Sequence, residues 1–80
     1  MDNRRTAREL ANFAYNVTWL RKHSGKTKKQ MAQLLRIGVG SLTKLEQGII
    51  PPKLKVDVLF YIYEEFYIRP DELLTRRFGE

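Results

Sequence analysis

The side chains best suited to chemistry in this sequence are lysines, and three of them fall within four residues. Lys26, Lys28 and Lys29 surround Thr27, a favoured helix N-cap that is followed three residues later by Gln30. A helix that begins here directs free backbone amides and the positive end of its dipole outward, which suits an anion. Lysines at this end oppose the dipole and destabilise the helix slightly unless an anion offsets their charge. We therefore interpret Lys28 and Lys29, with Thr27, as phosphate contacts. The alternative is a solvated basic turn.

A second set of polar side chains lies one short helix further along the chain. Lys44 is predicted on the face opposite the apolar Leu42 and Leu45, where it can reach a guanine edge or a phosphate. The hydroxyls of Ser41 and Thr43 lie near the same face and suit phosphates or bases. The alternative for all three is a solvated surface position.

The first two positions of that helix carry no hydrogen-bonding side chain. Val39 can contact a thymine methyl group, and Gly40 offers only a close approach. Neither can make the bidentate hydrogen bonds of direct base readout. In contact with DNA, such a helix would discriminate bases only modestly in one chain, and further specificity would have to come from Lys44, from DNA shape or from a second copy.

The composition excludes most kinds of catalytic and metal site. The chain has no cysteine and a single histidine, His23, which rules out disulfides, thiolate ligands and histidine clusters. It has no nucleophile–base pair and no glycine-rich phosphate loop, and Glu64 and Glu65 face different ways on a helix. We predict a protein that is not an enzyme and that uses no cofactor and no metal.

The positive charge is concentrated in the first half of the chain. The net charge is +6 over 80 residues, and residues 1–30 carry eight Lys or Arg against two acidic side chains. A one-sided basic patch is typical of a protein that binds a polyanion, although small basic domains without nucleic-acid partners also exist. No apolar run approaches the roughly 18 residues of a membrane span. We therefore expect a cytoplasmic protein that does not interact with membranes.

The elements that must position these residues are five helices in one domain, residues 1–80, with a core over about 7–78. The predicted helices are Thr6–His23, Thr27 to about Arg36, Gly38 or Val39 to Gly48, Lys53–Phe66, and a short last helix that Asp71 caps and that contains Leu73, Leu74 and Phe78. In the first helix an apolar stripe is formed by Leu10, Phe13, Val17 and Leu20. The fold class is therefore all-α.

The fourth helix carries two apolar stripes on different faces. One comprises Leu54, Val58, Ile62 and Phe66, and the other comprises Val56, Phe60, Tyr63 and Tyr67. We prefer a central core position that buries both stripes. The alternative is a dimer contact made by the second stripe together with the last helix.

The second and third helices are joined by a turn so short that they must cross steeply. Ala32 lies where the two helices approach, Ile37 is expected to fill the turn, and Leu42 and Leu45 fix the third helix on the second. This spacing is typical of a helix-turn-helix, whose second helix enters the major groove of DNA.

The same segments resemble the phage-repressor-like (XRE, Cro-type) helix-turn-helix family. The resemblance rests on Thr27–Ala32, Leu35, Ile37, Ser41–Gly48, Pro52 and Asp71–Leu74, and it covers roughly Phe13 to Leu74. It implies a compact five-helix, lambda-repressor-like domain that binds duplex DNA, usually as a dimer on a palindromic operator. It also implies an ion pair between Glu46 and an arginine of the first helix, here Arg21.

The chain departs from the family pattern at the turn and at the start of the recognition helix. Arg36 stands where the family usually has glycine, which predicts a left-handed backbone at that residue. Val39 and Gly40 stand where the family usually has Gln, Arg, Ser or Asn. We predict a sequence-specific transcriptional regulator, a repressor that acts as a homodimer through the helix Val39–Gln47. The alternative is an antitoxin-type or protein-interaction module of the same fold, bound to a toxin or another protein, with weak or lost DNA readout.

Overall fold

Five α-helices follow one another in the computed structural model, which describes residues 3–80. They are α1 (Asn3–His23), α2 (Lys28–Leu35), α3 (Val39–Glu46), α4 (Asp57–Phe66) and α5 (Pro70–Thr75). The described residues contain no strand, so this part of the chain is all-α as predicted. They occupy a body of 35 × 25 × 20 Å, and none of their helices is long and apolar enough to cross a membrane.

The core is assembled around α1, which packs on α3 and α5, while α2 packs on α3 and α4. Its buried apolar side chains come from every helix and from the segment after α5: Phe13, Ala14, Val17, Leu20, Met31, Ala32, Leu35, Leu42, Leu45, Val58, Ile62, Leu73 and Phe78. The predicted stripe of α1 is buried from Phe13 onward, whereas Leu10 is 39% exposed. The predicted stripe therefore reaches the core only from Phe13 onward.

Two asparagines of α1 lie among these apolar residues and hold the end of the chain in position. The Nδ2 group of Asn16 donates to the carbonyls of Leu73 (2.8 Å) and Arg76 (2.7 Å), and its Oδ1 accepts from the Phe78 amide (2.9 Å). Asn12 donates to the Leu74 carbonyl at 2.9 Å. Asn16 is completely buried. Its three hydrogen bonds satisfy both polar atoms of its side-chain amide, as burial of such a group requires.

The start of α4 differs from the prediction. The helix begins at Asp57 and not at Lys53, because the residues after the proline pair form turns. The Leu54 amide donates to the Pro51 carbonyl at 3.1 Å, and the Val58 amide donates to the Lys55 carbonyl at 3.2 Å. Asp57 then provides a carboxylate in the first turn, where the helix dipole favours negative charge.

The last helix also begins and ends elsewhere than predicted. Arg69 is its N-cap and Pro70 its first residue, so Asp71 is not the cap. Proline fits this position because the amide it lacks has no partner inside the helix. The helix ends at Thr75, and Phe78 lies beyond it but is still buried.

Only one of the two stripes of α4 lies in the core. Val58 and Ile62 of the first stripe are buried, and Leu54 and Phe66 are half-buried. The second, which we call the outer stripe, is exposed at 65% for Val56, 56% for Phe60, 47% for Tyr63 and 82% for Tyr67. Its end members Val56 and Tyr67 are the N-cap and the C-cap of α4. The expectation that α4 buries both stripes was wrong, because α2 and α5 cover α4 on one side only.

Candidate nucleic-acid interface

The first turn of α2 is capped and positively charged. The Gln30 amide donates to Thr27 Oγ1 at 3.1 Å, and the Thr27 amide donates to Gln30 Oε1 at 2.9 Å, which completes the predicted capping box. The Thr27 hydroxyl acts as an acceptor in this arrangement, so its own proton remains available to an anion. Lys28 and Lys29 follow it, both exposed, and the turn contains no acidic residue.

The turn between α2 and α3 is closed by a left-handed residue. Arg36 has φ 58° and ψ 42°, which confirms the backbone conformation predicted for it. Its amide donates to the Gln33 carbonyl at 3.1 Å, and the Ile37 amide donates to the Ala32 carbonyl at 3.0 Å. These bonds satisfy the last carbonyls of α2 and redirect the chain into α3. Ile37 fills the turn only in part and is half-buried.

The helix α3 divides into a buried and an exposed face. Leu42 and Leu45 are fully buried, whereas Gly40, Lys44 and Gln47 are exposed. Gly40 and Lys44 belong to α3, and Gln47 is its C-cap. These three residues, which we call the α3 face, are separated by four and three positions and therefore follow one side of the helix to its end. Gln47 was not among the predicted contact residues, although its spacing from Gly40 and Lys44 places it on this face. An exposed glutamine on this face has the donor and acceptor needed to recognise adenine.

Three predicted contact residues flank the α3 face. Ser41 and Thr43 are half-buried, one on each side, and Val39 is 45% exposed. At Gly40, an added Cβ would meet no heavy atom within 4 Å. Packing inside the protein therefore gives no reason for glycine at this position.

The start of α3 also has open backbone amides. Its N-cap is Gly38, which has no side chain to accept a hydrogen bond, and its first turn has no acidic residue. Amides in this position are unsatisfied within the helix and favour an anion.

Arg21 and Glu46 form the ion pair that the family resemblance implies. Arg21 Nη2 donates to Glu46 Oε1 at 3.0 Å, and Nε donates to Oε2, so the contact is bidentate. The side chains are only 15% and 9% exposed. The hydrogen bond to Glu46 raises the pKa of Arg21, with burial acting in the opposite direction. The pair neutralises the one carboxylate of α3 and ties α3 to α1.

The internal charge partners separate the structural cations from those free to bind a ligand. Arg21 pairs with Glu46, and Lys26 lies 3.6 Å from Glu65. Among the described residues, no carboxylate pairs with Lys28, Lys29 or Lys44. These three lysines therefore bring uncompensated positive charge to the start of α2 and to the outer side of α3.

The arrangement can bind an extended anion and can contact groups at the floor of a groove. The α3 face is placed to contact the floor of such a groove, and the lysines at the start of α2 are placed to contact its negatively charged edge. Comparisons of the chain with protein-family models, with curated proteins and with solved structures gave no significant match.

Proposed function

We propose that the protein is a double-stranded-DNA-binding transcriptional regulator, a repressor of the lambda-repressor-like helix-turn-helix type, and that α3 is its recognition helix. One observation carries this proposal. The side of α3 turned away from the core exposes Gly40, Lys44 and Gln47 and contains no free carboxylate, because Glu46 is paired with Arg21. A helix with these properties fits the major groove in both shape and charge.

The proposed roles follow the distribution of charge. Lys28 and Lys29 contact backbone phosphates and supply affinity that does not depend on sequence. Lys44 and Gln47 contact base edges, and Val39 contacts a thymine methyl group. Ser41, Thr43 and the Thr27 hydroxyl serve phosphates or bases at the edges of the contact.

Selection from random duplexes, repeated at two salt concentrations, tests this assignment. An enriched palindrome would support a dimer that recognises a specific sequence. Salt-sensitive binding without an enriched sequence would show that the protein contacts only the phosphates. Lys44→Ala should flatten preference at one or two base positions of each half-site. Lys28→Ala should weaken binding to all duplexes equally and lower the salt slope, the slope of log affinity against log salt concentration, by about one. Arg76→Ala, an exposed arginine after α5, is the matched control and should change neither.

Gly40 allows a test in which stability and binding change in opposite directions. Gly40→Ala has room for its methyl group and should stabilise α3 by about 0.5–1 kcal/mol. If α3 approaches DNA closely, the same methyl group should weaken duplex binding. A more stable variant with unchanged duplex affinity would contradict close approach at this residue.

The proposed assembly is a homodimer formed through the outer stripe of α4. Its four side chains leave roughly 400–500 Å² of apolar surface exposed, given the usual area of such side chains. A standard interface buries about 800 Å² per partner, so this dimer should be weak in the absence of DNA. Phe60→Glu should abolish self-association in sedimentation experiments and leave the helical circular dichroism intact. Equal sedimentation of both proteins as monomers at high concentration would refute this contact.

The second candidate is a protein-interaction module, including an antitoxin that binds a toxin. The exposed aromatic residues of the outer stripe favour it, as does the absence of hydrogen-bonding side chains at Val39 and Gly40. Co-purification of a partner protein whose binding Phe60→Glu disrupts would support this function. No response to duplex DNA at low salt would identify a module that has lost DNA readout.

A further inference from the structure

A cleft lies between the α2–α3 turn and the start of α4, outside the predicted set of contact residues. Its volume is about 300 Å³, and its polar lining consists of Arg36, Lys53, Lys55, Asp57 and Tyr61. We call it the turn cleft. A smaller recess shares Arg36 and Lys53 with it and extends to Gly38 and Ser41 at the start of α3. The turn cleft therefore lies beside the start of α3.

The guanidinium group of Arg36 is held at this cleft by one aromatic side chain. It lies over the Tyr61 ring, 4.3 Å from the centroid, and Nη1 donates to the Tyr61 hydroxyl at 3.3 Å. A guanidinium group has five N–H donors, so most of them remain available. Tyr61 thus orients a cation whose backbone adopts a conformation that usually favours glycine.

The charges at the turn cleft are not balanced. Within residues 3–80, no carboxylate forms an ion pair with Arg36, Lys53 or Lys55. The one acidic side chain in the lining, Asp57, opposes three cations. An oxyanion with several acceptor atoms matches a planar guanidinium group beside lysines, and phosphate is the biological group of this kind.

We propose that the turn cleft binds a phosphate group, with Arg36 and Lys53 as ligands, Lys55 at the edge and Tyr61 as a positioning residue. Its location beside α3 relates it to the proposed function. Lys28 and Lys29 lie at the start of α2, and the turn cleft lies at the other end of that helix. When α3 occupies a groove, this phosphate is a different one from those that Lys28 and Lys29 contact, because the two sites lie at opposite ends of α2. The contact with a DNA phosphate rests on the proposed function, whereas the phosphate site itself does not.

The first experiment tests the site without DNA. Inorganic phosphate is titrated into the ¹³C,¹⁵N-labelled full chain at constant ionic strength, with chloride as the control anion, and the Arg36 side chain and the Tyr61 ring are followed by NMR. We expect saturable shifts at Arg36 and at the ring of Tyr61. Asp57→Asn should tighten phosphate binding severalfold, and Arg36→Gly should remove it without unfolding the chain, because glycine suits the left-handed turn. Tyr61→Leu should weaken it, while Tyr61→Phe, which keeps the ring, should weaken it less.

The second experiment measures duplex binding as a function of salt. Arg36→Gly and Lys53→Ala should each lower affinity about tenfold and reduce the salt slope by about one. Arg76→Ala should do neither.

The outcomes separate the two proposals. Duplex binding that depends on Lys28 and Lys44 but not on Arg36 or Lys53, with no response to phosphate, would overturn the turn cleft and leave the proposed function intact. Phosphate binding at Arg36 in a protein that binds no duplex would support the turn cleft and refute the proposed function.

Discussion

Glu46→Ala should destabilise the protein strongly, although Glu46 is proposed to make no contact with DNA. The change leaves the Arg21 guanidinium group without its bidentate partner at a site where the arginine side chain is 15% exposed. Removing one member of a buried pair costs about 3–5 kcal/mol. We expect the lower end, about 3 kcal/mol, because Arg21 keeps solvent contact and a hydrogen bond to the Lys26 carbonyl at 3.5 Å. In a domain of this size, that corresponds to a loss of roughly 12–24 °C in Tm.

Urea denaturation followed by circular dichroism measures this loss, and the chain provides a matched control. Arg5 and Glu9 form an exposed pair, 3.7 Å apart, at 80% and 32% side-chain exposure. Glu9→Ala should therefore cost no more than about 0.5 kcal/mol. Replacing both buried partners, Arg21→Met with Glu46→Leu, should cost less than Glu46→Ala, since no charge is left unpaired. Equal losses for Glu46→Ala and Glu9→Ala would refute the reasoning.

The contribution of the Arg21 charge to the free energy of unfolding depends on pH in a direction that its pKa shift fixes. The pKa of Arg21 is raised in the folded protein. Its contribution to stability is therefore complete below the pKa that arginine has in the unfolded chain and is lost only above it. Raising the pH from about 7 to about 9 should leave the contribution of the Arg21 charge to the free energy of unfolding unchanged.

Three further changes test other contacts. Thr27→Ala should cost about 1 kcal/mol in urea denaturation by removing the cap of α2, whereas Thr27→Ser should cost much less. Asn16→Ala should cost about 3 kcal/mol or more and increase hydrogen exchange of the Phe78 amide, which loses its acceptor; unchanged exchange would contradict this. Gly79→Ala would place a Cβ 2.5 Å from Trp19 Nε1 at a residue with φ +80°, so it should lower stability and alter tryptophan fluorescence, and an unchanged emission spectrum would count against that contact.

How much could be predicted from the sequence depended on whether the relevant signal was local. The capping box at Thr27 is set by neighbouring residues and was predicted from them. The left-handed turn at Arg36 has no such local signal, and its prediction came from the resemblance to the helix-turn-helix family. The start of α5 had a local signal that was misread, since proline favours the first helical position and Asp71 was taken as the cap. The start of α4 was misplaced because apolar spacing continues through Leu54 although the backbone there forms turns.

Features that depend on residues far apart in the sequence could not be predicted from local patterns. Asn12 and Asn16 are polar residues beside an apolar stripe, and only their hydrogen bonds to residues 73–78 explain their burial. Which stripe of α4 is covered depends equally on the placement of α2 and α5. The turn cleft is likewise formed by side chains separated by up to 25 positions, such as Arg36 and Tyr61.

The hydrogen bonds of Asn16 have a consequence for the synthesis of the protein on the ribosome. Its partners Leu73 and Phe78 lie 57 and 62 positions later in the chain. At translation rates of about 5–20 residues per second, roughly 3–12 s therefore pass between the synthesis of Asn16 and that of these partners. During that interval α2 and α3, which are neighbours in sequence, can already pack on each other. A nascent chain that has not reached residue 73 can thus form the helix pair proposed to bind DNA, while α1 has α3 to pack on but still lacks α5.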